Sequence, residues 1–297
     1  MTVVLTKLTA MVKKIKKLYE VQMDTLAERT RLEAYLVGLL ERSERLSYYA
    51  ASRGWGFIMT WTHRIAGLIL VLYMLFHIYT LSALYEPAAF ASKMKFVDNF
   101  IFSFFEWALS VPVIFHALNG ARLILYEAFR IRNDAIMIRW VFVLSVIYVL
   151  TLSLFMLMGN QEVSPGFFWL IVAIGGAISS TIVYKRLWHT QNGILWKLQR
   201  VSGALLLPLV SGHMFFMHLN NRVGHDVDTI LERISAPGMK ALDVAFVGLV
   251  FFHAGFGLYT IIGDYVEDSR IRKGLTVLMS FILGVFAYAG AKIVLSI

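Results

Sequence analysis

No cysteine occurs in the 297 residues. Structural disulfides, thiolate-held iron–sulfur clusters and cysteine zinc sites are thereby excluded within this chain. Proline is limited to five residues and charged residues to 16%, so the sequence is poor in helix breakers and in the polar skin a water-soluble domain needs. What is present is apolar: 58% hydrophobic and 14% aromatic residues, with a mean hydropathy of +0.67. That balance places the chain in a bilayer. The net charge of +9 does not point to nucleic acid, because Lys and Arg sit in short loops and a basic amino terminus beside apolar runs, where they act as orientation signals.

Apolar runs long enough to cross a hydrocarbon core of about 30 Å at about 1.5 Å per residue occur near 57–84, 100–128, 138–158, 166–186, 200–220, 241–263 and 274–295. The expected fold is an all-α membrane protein with seven transmembrane helices. Residues 1–50 lack the uninterrupted apolar centre and small-residue cleavage site of a signal peptide, and read as a cytoplasmic helical extension lying on the membrane or on a partner. The Lys- and Arg-rich segments alternate with poorer ones, so the amino terminus is expected in the cytoplasm and the carboxyl terminus outside, in the cytoplasmic membrane.

The sequence also repeats itself. Arg64, Gly67 and His77 recur as Arg200, Gly203 and His213 at an offset of 136; Glu106, His116, Gly120 and Glu127 recur as Asp243, His253, Gly257 and Asp264 at 137. Helices one to three are thus expected to return as helices five to seven. A three-helix unit ends on the side opposite its start, so a second copy in the same orientation needs one extra crossing. The expected organisation is a first repeat over 51–160, a linking helix over 161–190 and a second repeat over 191–297.

Four histidines, His77, His116, His213 and His253, fall deep within predicted helices at matched positions. A buried imidazole needs a partner. A hydrogen bond across a helix interface would serve any one of them. Two symmetric pairs, with glycine four residues after His116 and His253 opening the same helix face, point instead to axial ligation of haem. A pseudo-two-fold axis brings equivalent positions together, so His77 should face His213 and His116 should face His253, giving two b-type haems. A bare metal ion is the weaker reading, since neither pair has further ligands of the usual kind, and covalent c-type attachment needs cysteine. Helix rise alone does not separate the depths of the two pairs.

Arg64 and Arg200 stand one turn before their glycines, where a guanidinium can fork onto a haem propionate or a quinone carbonyl; snorkelling to the interface is the plain alternative. His63 could assist at a propionate, but its counterpart is Gln199, so it is not expected to bind iron. His189, His218 and His225 are expected near helix ends or in loops, with His218 a possible competitor of His213.

With "THRIAG" and "FHALNGAR" in the first half and "LQRVSG" and "FHAGFGLYTIIGDYV" in the second, the chain resembles the cytochrome b membrane anchor of succinate:quinone oxidoreductases and fumarate reductases. The likeness covers about 57–295 apart from helix four, with two usually separate anchor subunits fused. It implies that His116 and His253 ligate the haem nearer an iron–sulfur subunit, while His77 and His213 are what a distal second haem would need. It also implies that Thr60, Arg64, Asp264 and Tyr265 line a quinone pocket, Thr60 standing where the family commonly has serine. The implied work is electron transfer between an iron–sulfur partner and membrane quinone, coupled to succinate oxidation or fumarate reduction. This chain is the membrane subunit, with a flavoprotein and an iron–sulfur subunit as partners, in a complex that could associate further. Glu106 and Asp243, ten residues before their histidines, are either helix-boundary acids or groups that exchange protons with quinol. Competing readings are the cytochrome b subunit of a hydrogenase or formate dehydrogenase, a haem-free structural anchor, and a transporter whose mid-helix breaks would be Pro112 and Pro208.

Overall fold

The computed structural model describes residues 31–40, 44–97, 99–131, 133–158, 165–218, 226–235 and 238–297, and all regular structure in them is helical. Ten α-helices follow in order: α1 Arg31–Leu40, α2 Glu44–Leu81, α3 Pro87–Val97, α4 Phe100–Ala128, α5 Asp134–Met158, α6 Pro165–Leu187, α7 Ile194–His213, α8 Val227–Ser235, α9 Met239–Tyr265 and α10 Ser269–Ser296. A 3-10 turn, Ser82–Tyr85, follows α2, and one turn of π-helix, Met214–His218, extends α7. Seven of these, α2, α4, α5, α6, α7, α9 and α10, are long and apolar enough to cross a membrane. Their outward faces carry bulky apolar side chains, Leu72, Phe76, Val277 and Phe281 each being two-thirds exposed, as expected where lipid replaces water as the solvent.

The chain forms two compact units, Met1–Thr62 and His63–Ile297. In the first, α2 bends at Gly54, whose φ of 50° and ψ of −137° lie outside the range a side chain tolerates. The next N–H, that of Trp55, donates to Glu33 Oε1 at 3.0 Å, and Phe57 and Ile58 are buried against Leu36, Trp55 and Trp61. Of the extension expected over 1–50, residues 1–30 and 41–43 lie outside the described residues.

In the second unit α7 packs against α4, α6 and α9; α4 lies on α5 as α9 lies on α10. The largest core cluster joins Val71 and Ile78 of α2 to Phe251 and Leu258 of α9, Leu283 and Ile293 of α10, and Ile230 and Ile234 of α8. The crossing of α6 and α7 uses small residues, as membrane helix pairs do. Pro208 of α7 has no N–H, which leaves the carbonyl of Ala204 without its helical donor. Ser179 of α6 supplies one, its hydroxyl lying 2.7 Å from that carbonyl.

Several helices begin ahead of the apolar runs, and at two of them the local contacts give the reason. The fifth spanning helix begins at Ile194 rather than near 200, because the charges in its first turns are partnered: the buried Lys197 ammonium donates to the Trp188 carbonyl at 2.8 Å. The seventh begins at Ser269 rather than near 274, where the Asp268 carboxylate caps it by accepting from the N–H groups of Arg270 and Ile271.

Candidate functional site

The matched positions in the sequence become matched contacts in space. The imidazoles of His116 on α4 and His253 on α9 face each other with ring centroids 6.2 Å apart and planes crossed at 82°; those of His77 on α2 and His213 on α7 lie 6.2 Å apart and cross at 86°. Gly67 places His116 in depth, since a Cβ there would lie 3.1 Å from His116 Cε1, and Gly203 does the same for His253 at 3.2 Å. Gly67 stands ten residues before His77 on α2, so the two pairs lie about 15 Å apart along the bundle. The depth that helix rise left unresolved is thereby fixed.

Each imidazole of the His116–His253 pair, here the inner pair because it lies toward the Arg64 end of the bundle, is oriented by the first helix of its own repeat. His116 Nδ1 lies 3.1 Å from the backbone carbonyl of His63, which can only accept, so Nδ1 carries the proton and Nε2 keeps its lone pair. At the equivalent place Ser202 gives its hydroxyl proton to the Gln199 carbonyl at 2.9 Å, so its oxygen accepts from His253 Nδ1 at 3.2 Å. Such second contacts prepare an imidazole for a metal. Two imidazole nitrogens each about 2 Å from one first-row metal put their ring centroids roughly 6 Å apart, and both pairs meet that spacing.

Two buried polar atoms add to the fit. His63 Nδ1 and Gln199 Oε1 have no hydrogen-bond partner, and positions 63 and 199 are equivalent in the repeat. Both approach the glycine that follows the inner histidine by four residues, since a Cβ at Gly120 would lie 3.6 Å from His63 Cε1 and one at Gly257 would lie 3.9 Å from Gln199 Nε2. An orphaned polar atom at the same place in both halves is what a polar edge of a bound group would satisfy. The His63 ring itself stacks on His116 at 3.9 Å with planes 6° apart, consistent with support of the imidazole rather than ligation.

The arginines and acids pair across the repeats. Arg64 donates through Nη2 to Asp264 Oδ2 and through Nη1 to the Tyr265 hydroxyl, each at 2.5 Å; Arg200 forks onto Glu127 through Nε at 2.7 Å and Nη2 at 2.9 Å. Each arginine of one half thus holds the acid of the other. Both guanidiniums keep donors in reserve, Nε on Arg64 and Nη1 on Arg200, for a further anion or carbonyl. Beside Asp264 an open cleft of about 710 Å³ runs between α9 and α10, lined by Tyr259, Thr260, Arg272 and Lys273. Thr60 belongs to the first unit, where its hydroxyl donates to the Gly56 carbonyl at 2.9 Å.

Other expected residues fall into place more simply. Glu106 and Asp243 are half-buried near the starts of α4 and α9, Glu106 within electrostatic reach of His77 and Tyr73. His189 is exposed after α6. His218 does not stay at the margin: it converges on His77 and His213. His225 lies outside the described residues. One participant was not singled out beforehand. The buried Arg122 donates to Asn119 Oδ1 at 2.8 Å and pairs with Asp134, tying the inner end of α4 to the start of α5. Its signal in the sequence was an arginine inside an apolar run, which always needs a partner.

Residues 41–152 and 168–287 match the family model described as succinate dehydrogenase/fumarate reductase transmembrane subunit. A succinate dehydrogenase hydrophobic membrane anchor subunit of Archaeoglobus fulgidus is 28% identical over 95 residues, 31% of this chain and 81% of the relative. One of Rickettsia felis is 30% identical over 84 residues, 28% of this chain and 68% of the relative. No solved structure matches.

Proposed function

Since the chain belongs to the succinate dehydrogenase/fumarate reductase transmembrane subunit family, we propose that it is a di-haem cytochrome b anchor carrying electrons between an iron–sulfur subunit and membrane quinone. The observation that carries this is the paired geometry: two sets of facing imidazoles, each 6.2 Å apart and crossed near a right angle. His116 and His253 hold the inner haem and His77 and His213 the distal one. When bound, haem supplies one-electron chemistry, and burial and hydrogen bonding set its potential. The chain's own work is to hold each imidazole in one tautomer, to keep water from the pairs, and to offer Arg64 and Arg200 to propionate or quinone oxygens, with His63 beside them.

The two family matches leave out only 153–167, the end of α5 and the very start of α6, and most of an anchor subunit fits on about a third of this chain. Both facts support two anchor units in one chain; the bounds 51–160 and 191–297, with a joining helix over 161–190 and an extension over 1–50 ahead of them, rest on the internal repeat. Quinone binds at the Arg64, Asp264 and Tyr265 end, where charged and phenolic donors meet the cleft beside Asp264. The part of Thr60 there rests on the resemblance alone. That end faces the cytoplasm, the iron–sulfur and flavoprotein subunits dock on it, and Glu106 and Asp243 exchange protons at the opposite end of the bundle. No dicarboxylate site belongs to this chain. Haem b per polypeptide tests the reading. Two are expected in the wild type and one in His116→Ala, His253→Ala or His77→Ala, whereas one haem in the wild type refutes the distal site and none refutes the cytochrome.

A further inference from the structure

At the distal end the symmetry is broken by a third histidine. His77, His213 and His218 bring a ring nitrogen each to within 4.8 Å of the others, and His218 lies 5.8 Å from His77 and 5.2 Å from His213 between ring centroids. No histidine occupies the equivalent position of the first repeat, where the offset of 136 leads to Ser82 in the 3-10 turn. The cause is the π turn. In an α-helix residues five apart point about 140° away from each other, whereas the wider π turn brings them to within about 50°. His213 and His218 therefore share a face.

That turn is held from outside. Arg233 of α8 donates through Nη1 to the Phe216 carbonyl at 2.8 Å, and its guanidinium carbon lies 4.8 Å over the Phe216 ring. α8 is itself fixed by Ile230 and Ile234, buried in the core with Phe90 and Met94. A carbonyl in the loosened turn thus has a charged donor.

A haem iron takes one axial ligand on each face. A nitrogen this close to both members of a facing pair falls inside the disc of a macrocycle about 10 Å across, so all three cannot stay where they are. His77 approaches alone from α2, and the other two come together from α7 and its π turn. Resting on the di-haem reading, we infer that the distal iron has one fixed ligand, His77, and two interchangeable ones, His213 and His218, the π turn setting which is bound. The histidine not bound stands at the macrocycle edge as a hydrogen-bonding group.

The test is haem b per polypeptide, the low-spin electron paramagnetic resonance signals and the midpoint potentials of the purified complex. His77→Ala should lose one haem. His213→Ala and His218→Ala should each keep two, with a distal signal and potential that differ between the two variants, and the double variant should fall to one. Arg233→Ala should shift the distal signal and leave the inner one unchanged. The inference is overturned if His213→Ala alone drops to one haem while His218→Ala matches the wild type in count, signal and potential. Retention of the inner haem reports folding throughout; should His213→Ala lose both haems, His213→Leu, which refills the space, is read in its place. One haem in the wild type overturns the di-haem reading itself, an outcome separate from loss on His213→Ala.

Discussion

Replacing Gly67 by alanine tests whether the glycines exist to admit the inner imidazoles. The new Cβ would stand 3.1 Å from His116 Cε1, whereas carbon atoms rest at about 3.5–4.0 Å, so the ring must yield by roughly 0.4 Å or more. It cannot slide freely, because Nδ1 is held by the His63 carbonyl and one face is covered by the His63 ring. It must tilt, and a displacement of about 0.5 Å is the limit a preorganised site tolerates. Overpacking of this kind costs about 1–3 kcal/mol, of which helix propensity returns up to about 1 kcal/mol. The net, at most about 2 kcal/mol after that full return, corresponds to a loss of haem retention of up to about 30-fold. The assay is transfer of haem from the purified complex to an excess of a haem-scavenging protein, with the inner midpoint potential measured in parallel. Gly203→Ala should act alike, at 3.2 Å from His253 Cε1, and Gly120→Ala, whose nearest contact is an ordinary 3.6 Å, should be near neutral. Unchanged retention and potential in Gly67→Ala, or equal loss in Gly120→Ala, would refute the reasoning.

Three further outcomes are expected. Ser179→Ala should lower thermal stability in detergent by about 1 kcal/mol, and by little in a Pro208→Ala background, where the Ala204 carbonyl regains its helical donor; equal losses in both backgrounds would break the link. Double-mutant cycles should give a larger coupling for the bidentate, half-buried Arg200 and Glu127, about 1–3 kcal/mol, than for Arg64 and the more exposed Asp264, under about 1 kcal/mol. Gly212→Ala would put a Cβ 2.9 Å from Val172 Cγ2 and should loosen the crossing of α6 and α7 by about 1–3 kcal/mol, measurable as a lower unfolding temperature, whereas Gly175→Ala, with nothing within 4 Å, should not.

Much of this was legible in the sequence because a spanning helix must be a long apolar run and a repeat must recur at a fixed offset. The four paired histidines followed from those two facts. The pairing of Arg200 with Glu127 did not, since only the packing of α7 with α4 decides which acid that arginine meets, whereas Arg64, Asp264 and Tyr265 were brought together beforehand by the resemblance alone. The start of α7 was hidden because Lys197 and Arg200 interrupt the apolar run, and their partners belong to other elements. His218 was the least readable: helical periodicity turns it away from His213, and nothing in the sequence marks where a helix widens by one residue. The orphaned atoms of His63 and Gln199 were masked by their difference in residue type, although they occupy one place in the repeat.

The exchange of partners between the two arginines and the two acids bears on how such a chain assembles. A half made alone would hold its arginine and its carboxylate at the same end of its helices without the partner that each meets in the whole chain. Its complement satisfies both at once, so recognition between halves is mutual. Covalent connection through α6 turns that encounter into an intramolecular one and fixes the ratio of halves at one to one without any regulation of their synthesis. Cut between Met158 and Pro165, the two pieces should still find each other, more slowly, and restore the inner pair of imidazoles.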